Sequence, residues 1–169
     1  MTQALRSLAD GIDAVVDLIG RVTAWSSFAL VLVMATNVLL RYLFSTGSVW
    51  AQELEWHLMV PICLFGMAYA LRHGEHVRVD VLFARYSPRA KAAVDLLAAL
   101  VAIAVCALVI HYSLAYVGQS WRNSEGSANP GGIPWRWALK ALIPVGFSLF
   151  LLQSVAEALR AGLRLRDGH

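Results

Sequence analysis

The sequence predicts an all-α integral membrane protein: four transmembrane helices preceded by an N-terminal amphipathic interfacial helix. Composition comes first. Of 169 residues, 59% are apolar and only 15% charged, against roughly 45–50% and about 25% in soluble domains. The charges are also segregated, since residues 22–40, 56–71, 96–121 and 141–156 contain no Asp, Glu, Lys or Arg. A bilayer core asks for about 20 mainly apolar helical residues. The first and third stretches suffice alone, and the second and fourth suffice once their charged flanks sit at interface depth. Spans are therefore expected at about 22–43, 53–72, 89–118 and 134–158, forming one membrane domain over residues 1–169.

The elements follow in order. Asp10, Asp13 and Asp17 precede an apolar run too long for the core of a secretory signal, so the start reads as structure. The three acids share one helical face while Leu5, Leu8, Ile12, Val15 and Ile19 recur on the other, the pattern of a helix lying in the interface. Ser45-Thr46-Gly47-Ser48 makes a short turn, and Trp50 re-enters the interface. Pro61 and Pro144 each remove a backbone donor inside a span and are expected to bend it. His73-Gly74 opens the middle loop. Its run from His76 to Leu82 reads as a surface segment, because a lone strand has nothing to pair with. Ser87-Pro88 supplies an N-cap and a first-turn proline for the third span. Residues 123–134, rich in Gly, Ser, Asn and Pro, predict no regular element. Cys63 and Cys106 fall inside spans and read as unpaired apolar fillers.

Four spans place both termini on one side. That side carries Arg6, Arg21, Arg72, Arg78, Arg85, Arg89, Lys91, Arg160, Arg164 and Arg166; the other has only Arg41, Arg122, Arg136 and Lys140. The bias puts the termini and middle loop in the cytoplasm. Trp50, Trp56, Trp121, Trp135 and Trp137 gather at the opposite boundary, where an indole keeps its N–H wet. Topology, rather than nucleic-acid binding, thus explains the pI near 9.1.

Chemistry-bearing motifs are scarce: there is no phosphate loop, dinucleotide fingerprint, metal-ligand spacing or hydrolase motif. No charged residue stands mid-span, which argues against a self-sufficient carrier of a charged solute. Arg41 ends one span and Glu53 begins the next, so an Arg41–Glu53 ion pair is expected to close that hairpin, unless both snorkel to water. Lys140 is a second candidate partner for Glu53 or Glu55. His57 and His111 lie at matched depth on different spans, which admits a haem-bearing membrane anchor as an alternative reading.

Arg41-Tyr42-Leu43-Phe44 followed by Trp50-Ala51-Gln52-Glu53 resembles the first hairpin of the DctQ-type small subunits of tripartite ATP-independent periplasmic (TRAP) transporters. Gly66, Arg72, Gly74 and His76-Val77-Arg78-Val79-Asp80, then Ser87-Pro88, are similar to that family's central signature. Ile133-Pro134-Trp135 and Pro144-Val145-Gly146-Phe147 resemble its last helix. The resemblance covers nearly the whole chain. It implies a bacterial inner-membrane importer in which a periplasmic binding protein captures an organic acid and a large subunit moves it with sodium. The small subunit then acts as a scaffold beside the large one, with no catalytic, cofactor-binding or metal-binding residues of its own and sodium coupling in its partner. Structural or partner-interface candidates are Arg41, Trp50, Glu53, Arg72, His76, Arg78, Asp80 and Lys140; for Arg72, His76, Arg78 and Asp80 a structural or lipid-headgroup role is preferred to substrate contact. Ala98, Ala99, Ala102, Ala104 and Ala107 offer a small-residue face for packing, within the unit or against a partner. Trp121, Arg122, Glu125, Trp135 and Arg136 are expected to face the periplasm.

Overall fold

Every expected span is a helix, and the boundaries between successive helices fall at caps or turns. The computed structural model describes residues 2–75, 83 and 85–167. It contains α1 (Thr2–Phe44), α2 (Val49–His73), α3 (Pro88–Arg122) and α4 (Arg136–Asp167), each long and apolar enough to cross a membrane. Ser48 caps α2, its Oγ accepting from the Ala51 amide at 3.3 Å. Ser87 caps α3 in the same way through the Ala90 amide at 3.2 Å, with Pro88 in the first turn. Gly74 ends α2 in the left-handed conformation at φ 73°, and the Glu75 amide reaches back to the Ala70 carbonyl at 3.0 Å. α2 and α4 run on through Pro61 and Pro144.

The amphipathic start is helical and joins the first span without a break. α1 is thus one rod of 43 residues, about 64 Å long and roughly twice the hydrocarbon thickness. Its apolar residues are divided, with Ile12, Val16 and Ile19 packed inward, and of its acids Asp10 stays exposed. Asp13 and Asp17 turn towards α2 and α4, while Leu8, Val15 and Leu18 point outward at 55%, 49% and 65% exposure.

α4 is the hub, packing against each of the other three helices, whereas α3 packs along α4. On α3 the buried positions are Ala92, Ala99, Cys106, Ser113 and Ser120, one every seventh residue and all small. α1 keeps the same period with Ala9, Val16 and Thr23, misses it at position 30 and returns to it at Asn37. A seven-residue period keeps one narrow seam facing a left-handed neighbour, and small side chains let the backbones approach. Of the five alanines expected to form a stripe, Ala99 alone lies in this seam; Ala98, Ala104 and Ala107 are exposed. The core proper is small: Val16, Ala68 and Leu149, wrapped by Ile12, Ile19, Phe65, Tyr69 and Phe150. Two glycines set its tightness. A Cβ on Gly20 would stand 2.7 Å from Tyr69 Cγ, and one on Gly146 2.7 Å from Leu64 Cβ. Much of the remaining apolar surface faces outward, including Trp25, Phe28, Leu97, Leu108 and Tyr112.

Candidate functional site

Polar side chains meet in two layers, one at each end of the bundle, with the apolar stretches between them. At the loop end, residues 123–135 connect α3 to α4 and fold back over the start of α2. Glu53, 9% exposed, is the anchor. Its Oε1 accepts from Ser127 Oγ and from Asn129 Nδ2 at 3.1 Å, and its Oε2 from the Ile133 amide at 2.7 Å. Three donors on one carboxylate are what burial of a charge requires, and the Arg136 charge acts on it as well. Gly132 makes the approach possible, since a Cβ there would lie 2.6 Å from Glu53 Oε2. Ser124 and Trp135 bracket this turn at φ 47° and 66°, and the Arg136 amide donates to the Glu125 carbonyl at 3.1 Å.

The expected Arg41–Glu53 pair is therefore corrected. Arg41 is exposed and Glu53 is satisfied by neutral donors some 74 to 80 positions further along the chain. Lys140 is corrected likewise: its Nζ pairs with Glu125 and lies 4.0 Å over the Tyr116 ring. That ammonium holds the Glu125 carboxyl below the usual glutamate range. Glu55 finds Asn37 instead, Nδ2 to Oε1 at 3.1 Å, which joins α1 to α2 through the most polar residue of the first span. Trp50 is half-exposed at the start of α2, and Trp121 meets Trp137 edge-on at 4.5 Å.

At the end carrying the termini, Arg72 Nη2 pairs with Asp17 at 2.9 Å and its Nη1 lies 4.0 Å from Asp13. His73 Nε2 is 3.2 Å from Asp17. Arg160 binds Asp13 and, at 2.9 Å, Glu157. Gln153, fully buried, donates from Nε2 to Asp13 at 3.2 Å and Glu157 at 3.3 Å. This network ties α1 to α2 and α4. Arg72 is placed in it from the sequence candidates, whereas Asp13, Gln153 and Arg160 are additions. Their signal was present: Gln153 interrupts an uncharged stretch, and a polar group at such a position needs a partner. His76, Arg78 and Asp80 lie outside the described residues.

His57 and His111 are not brought together. The His57 Nδ1–H donates to the Glu53 carbonyl of its own helix at 2.7 Å, and His111 is exposed on α3 beside Tyr112. Among the described residues no group of three or more His, Cys, Asp or Glu is arranged to hold a metal ion.

Comparison with known proteins decides the family. The family described as "Tripartite ATP-independent periplasmic transporters, DctQ component" matches residues 30–164. The chain belongs to this family. It is similar to the ectoine TRAP transporter small permease protein TeaB of Halomonas elongata, 27% identical over 142 residues, which cover 81% of this chain and 72% of that protein. This DctQ-family chain is thus a small permease subunit of a TRAP transporter and a multi-pass membrane protein. The matched region takes in the Glu53 latch, Arg72, Gln153 and Arg160 but begins after Asp13 and Asp17, so half of the second network lies on the unmatched start of α1.

Proposed function

We propose that this chain is the non-catalytic scaffold subunit of a sodium-coupled, binding-protein-dependent uptake system for organic acids. In this reading it resides in the bacterial inner membrane with both termini in the cytoplasm, beside a large permease subunit and within reach of a periplasmic binding protein. It carries no cofactor, and the sodium and solute sites belong to the large subunit. One observation supports this above others: the buried charged groups bind one another or the loop, at the two ends of the bundle, and leave the slab between them without charge. A solute carrier needs a polar path or an ionisable group at mid-depth, and these side chains close contacts instead. The relative is named for ectoine, so membership alone does not select an organic acid, and the solute class rests on the resemblance of the motifs.

The haem-anchor reading loses its basis in geometry, with His57 engaged by its own helix and His111 turned outward. A mild-detergent pull-down of the tagged chain, with mass spectrometry of co-purifying proteins and an absorption spectrum, separates the possibilities. Recovery of a large polytopic permease with no Soret band is expected. A chain that purifies alone, or with a respiratory enzyme and a Soret band, contradicts the proposal.

A further inference from the structure

His111 is a polar side chain facing outward at hydrocarbon depth. It precedes Ser113 of the α3 seam by two positions, about 200° round the helix and so on the side turned away from α4. Along the axis it lies about 15 Å from the interfacial Trp121. That depth is near the middle of the uncharged stretch 96–121 and of a hydrocarbon core about 30 Å thick. The imidazole is exposed, meets the Tyr112 ring edge-on at 5.3 Å, and has no hydrogen bond among the described residues. Tyr112 is itself 70% exposed and has none either. His57 differs, because it bonds a carbonyl of its own helix at 2.7 Å.

We propose, resting on the scaffold reading given above, that this outward face of α3 docks a spanning helix of the large permease subunit, a polar side chain of which hydrogen-bonds His111. Lipid tails offer neither donor nor acceptor, so an imidazole facing them gives up its hydration for nothing. A bond to a neighbouring helix is the usual remedy in membranes. The face also has the form a helix needs. Leu97, Val101, Ala104, Leu108, His111 and Ala115 are all exposed and recur at alternating intervals of four and three residues, the stripe that packs into a partner helix. It runs about 27 Å, close to the hydrocarbon thickness. Ala104 and Ala115, within two turns of His111, let a partner backbone come near enough for the bond. A second copy of this chain, related by a two-fold axis, would set imidazole against imidazole. One N–H would then meet one nitrogen and leave two of the four nitrogens unmet, whereas a helix of different sequence is free to meet both atoms of one ring.

Photocrosslinking in membranes that contain the co-expressed large subunit tests the face. With benzoylphenylalanine in place of Leu108 or Ala115, an adduct with the large subunit is expected. In place of Val31, 62% exposed on α1, none is expected. His111→Leu is expected to weaken co-purification of the large subunit about three- to tenfold, as loss of one interhelical hydrogen bond does, while the isolated chain melts no lower than the wild type. His111→Gln, which keeps a donor and an acceptor, is expected to restore most of the retention. Adducts with a second copy, no adduct from either α3 position, or full retention by His111→Leu overturns the proposal. So does a lowered melting temperature of isolated His111→Leu, because the imidazole then serves this chain's own fold. A large subunit that co-purifies but crosslinks through other segments sinks the docking face and leaves the scaffold reading standing. Failure of any large subunit to co-purify with the wild type sinks both.

Discussion

Glu53 and Asp13 solve the same problem with different means. Each is a carboxylate drawn into a contact between helices; Glu53 is satisfied by a hydroxyl, an amide side chain and a backbone N–H, Asp13 by Arg160 and Gln153. From the sequence, Glu53 was recognisable as a charge in need of partners, because it starts a span. The partner was not, because nearness in sequence favoured the cation Arg41 over a loop of small polar residues. Glu53→Ala is expected to release that loop: amide hydrogen exchange at Ile133 accelerates while α3 and α4 keep their protection. Unchanged exchange at Ile133 contradicts the latch. Glu125 adds a pH dependence. Its folded pKa lies below the ordinary 4.5 because Lys140 binds the charged form, so its contribution is present in full above that ordinary value. The contribution disappears only as pH falls through the lowered pKa. Acid-induced mobility of residues 123–126 is therefore expected below the normal glutamate range, and Glu125→Gln is expected to be equally mobile at neutral pH.

The helices were legible to different degrees. Ser87-Pro88, His73-Gly74 and the uncharged stretches located the ends of α2 and α3 because caps and hydropathy act locally. The inward turn of Asp13 and Asp17 was not legible, since an amphipathic pattern says which residues share a face and leaves open what each of them meets. In an ordinary surface helix the apolar face is buried. Here Arg160 and Arg72 on other helices draw Asp13 and Asp17 in beside Ile12, Val16 and Ile19, and Leu8, Val15 and Leu18 are left outside. Arg160→Gln leaves Asp13 and Glu157 short of a counter-charge, an expected loss of about 1–3 kcal/mol for a partly exposed pair. Adding Asp13→Asn is expected to recover part of it, and strict additivity in thermal melts argues against the network. Gly20→Ala presses a methyl against the Tyr69 ring where α1 crosses α2, an overpacking worth about 1–3 kcal/mol. A melting temperature unchanged by this variant contradicts the close approach.

At the scale of the molecule, the order of the elements and the family were readable from short motifs spread along the chain; the four helices bear out the first and the family match over residues 30–164 the second. The interior was less readable. A hub helix flanked by seams of one small residue in seven buries little, so the core leaves only faint hydropathic evidence beside the lipid-facing surface. The proposed scaffold role asks such a bundle to hold its shape, and the Glu53 contacts and the Asp13 network tie its helices together. The decisive measurement is solute uptake into proteoliposomes containing the large permease subunit, supplied with binding protein and a sodium gradient, with and without this chain. The account predicts uptake only when both membrane subunits are present, and none with this chain alone. Full-rate uptake in its absence, or solute carried by this chain without the large subunit, contradicts it.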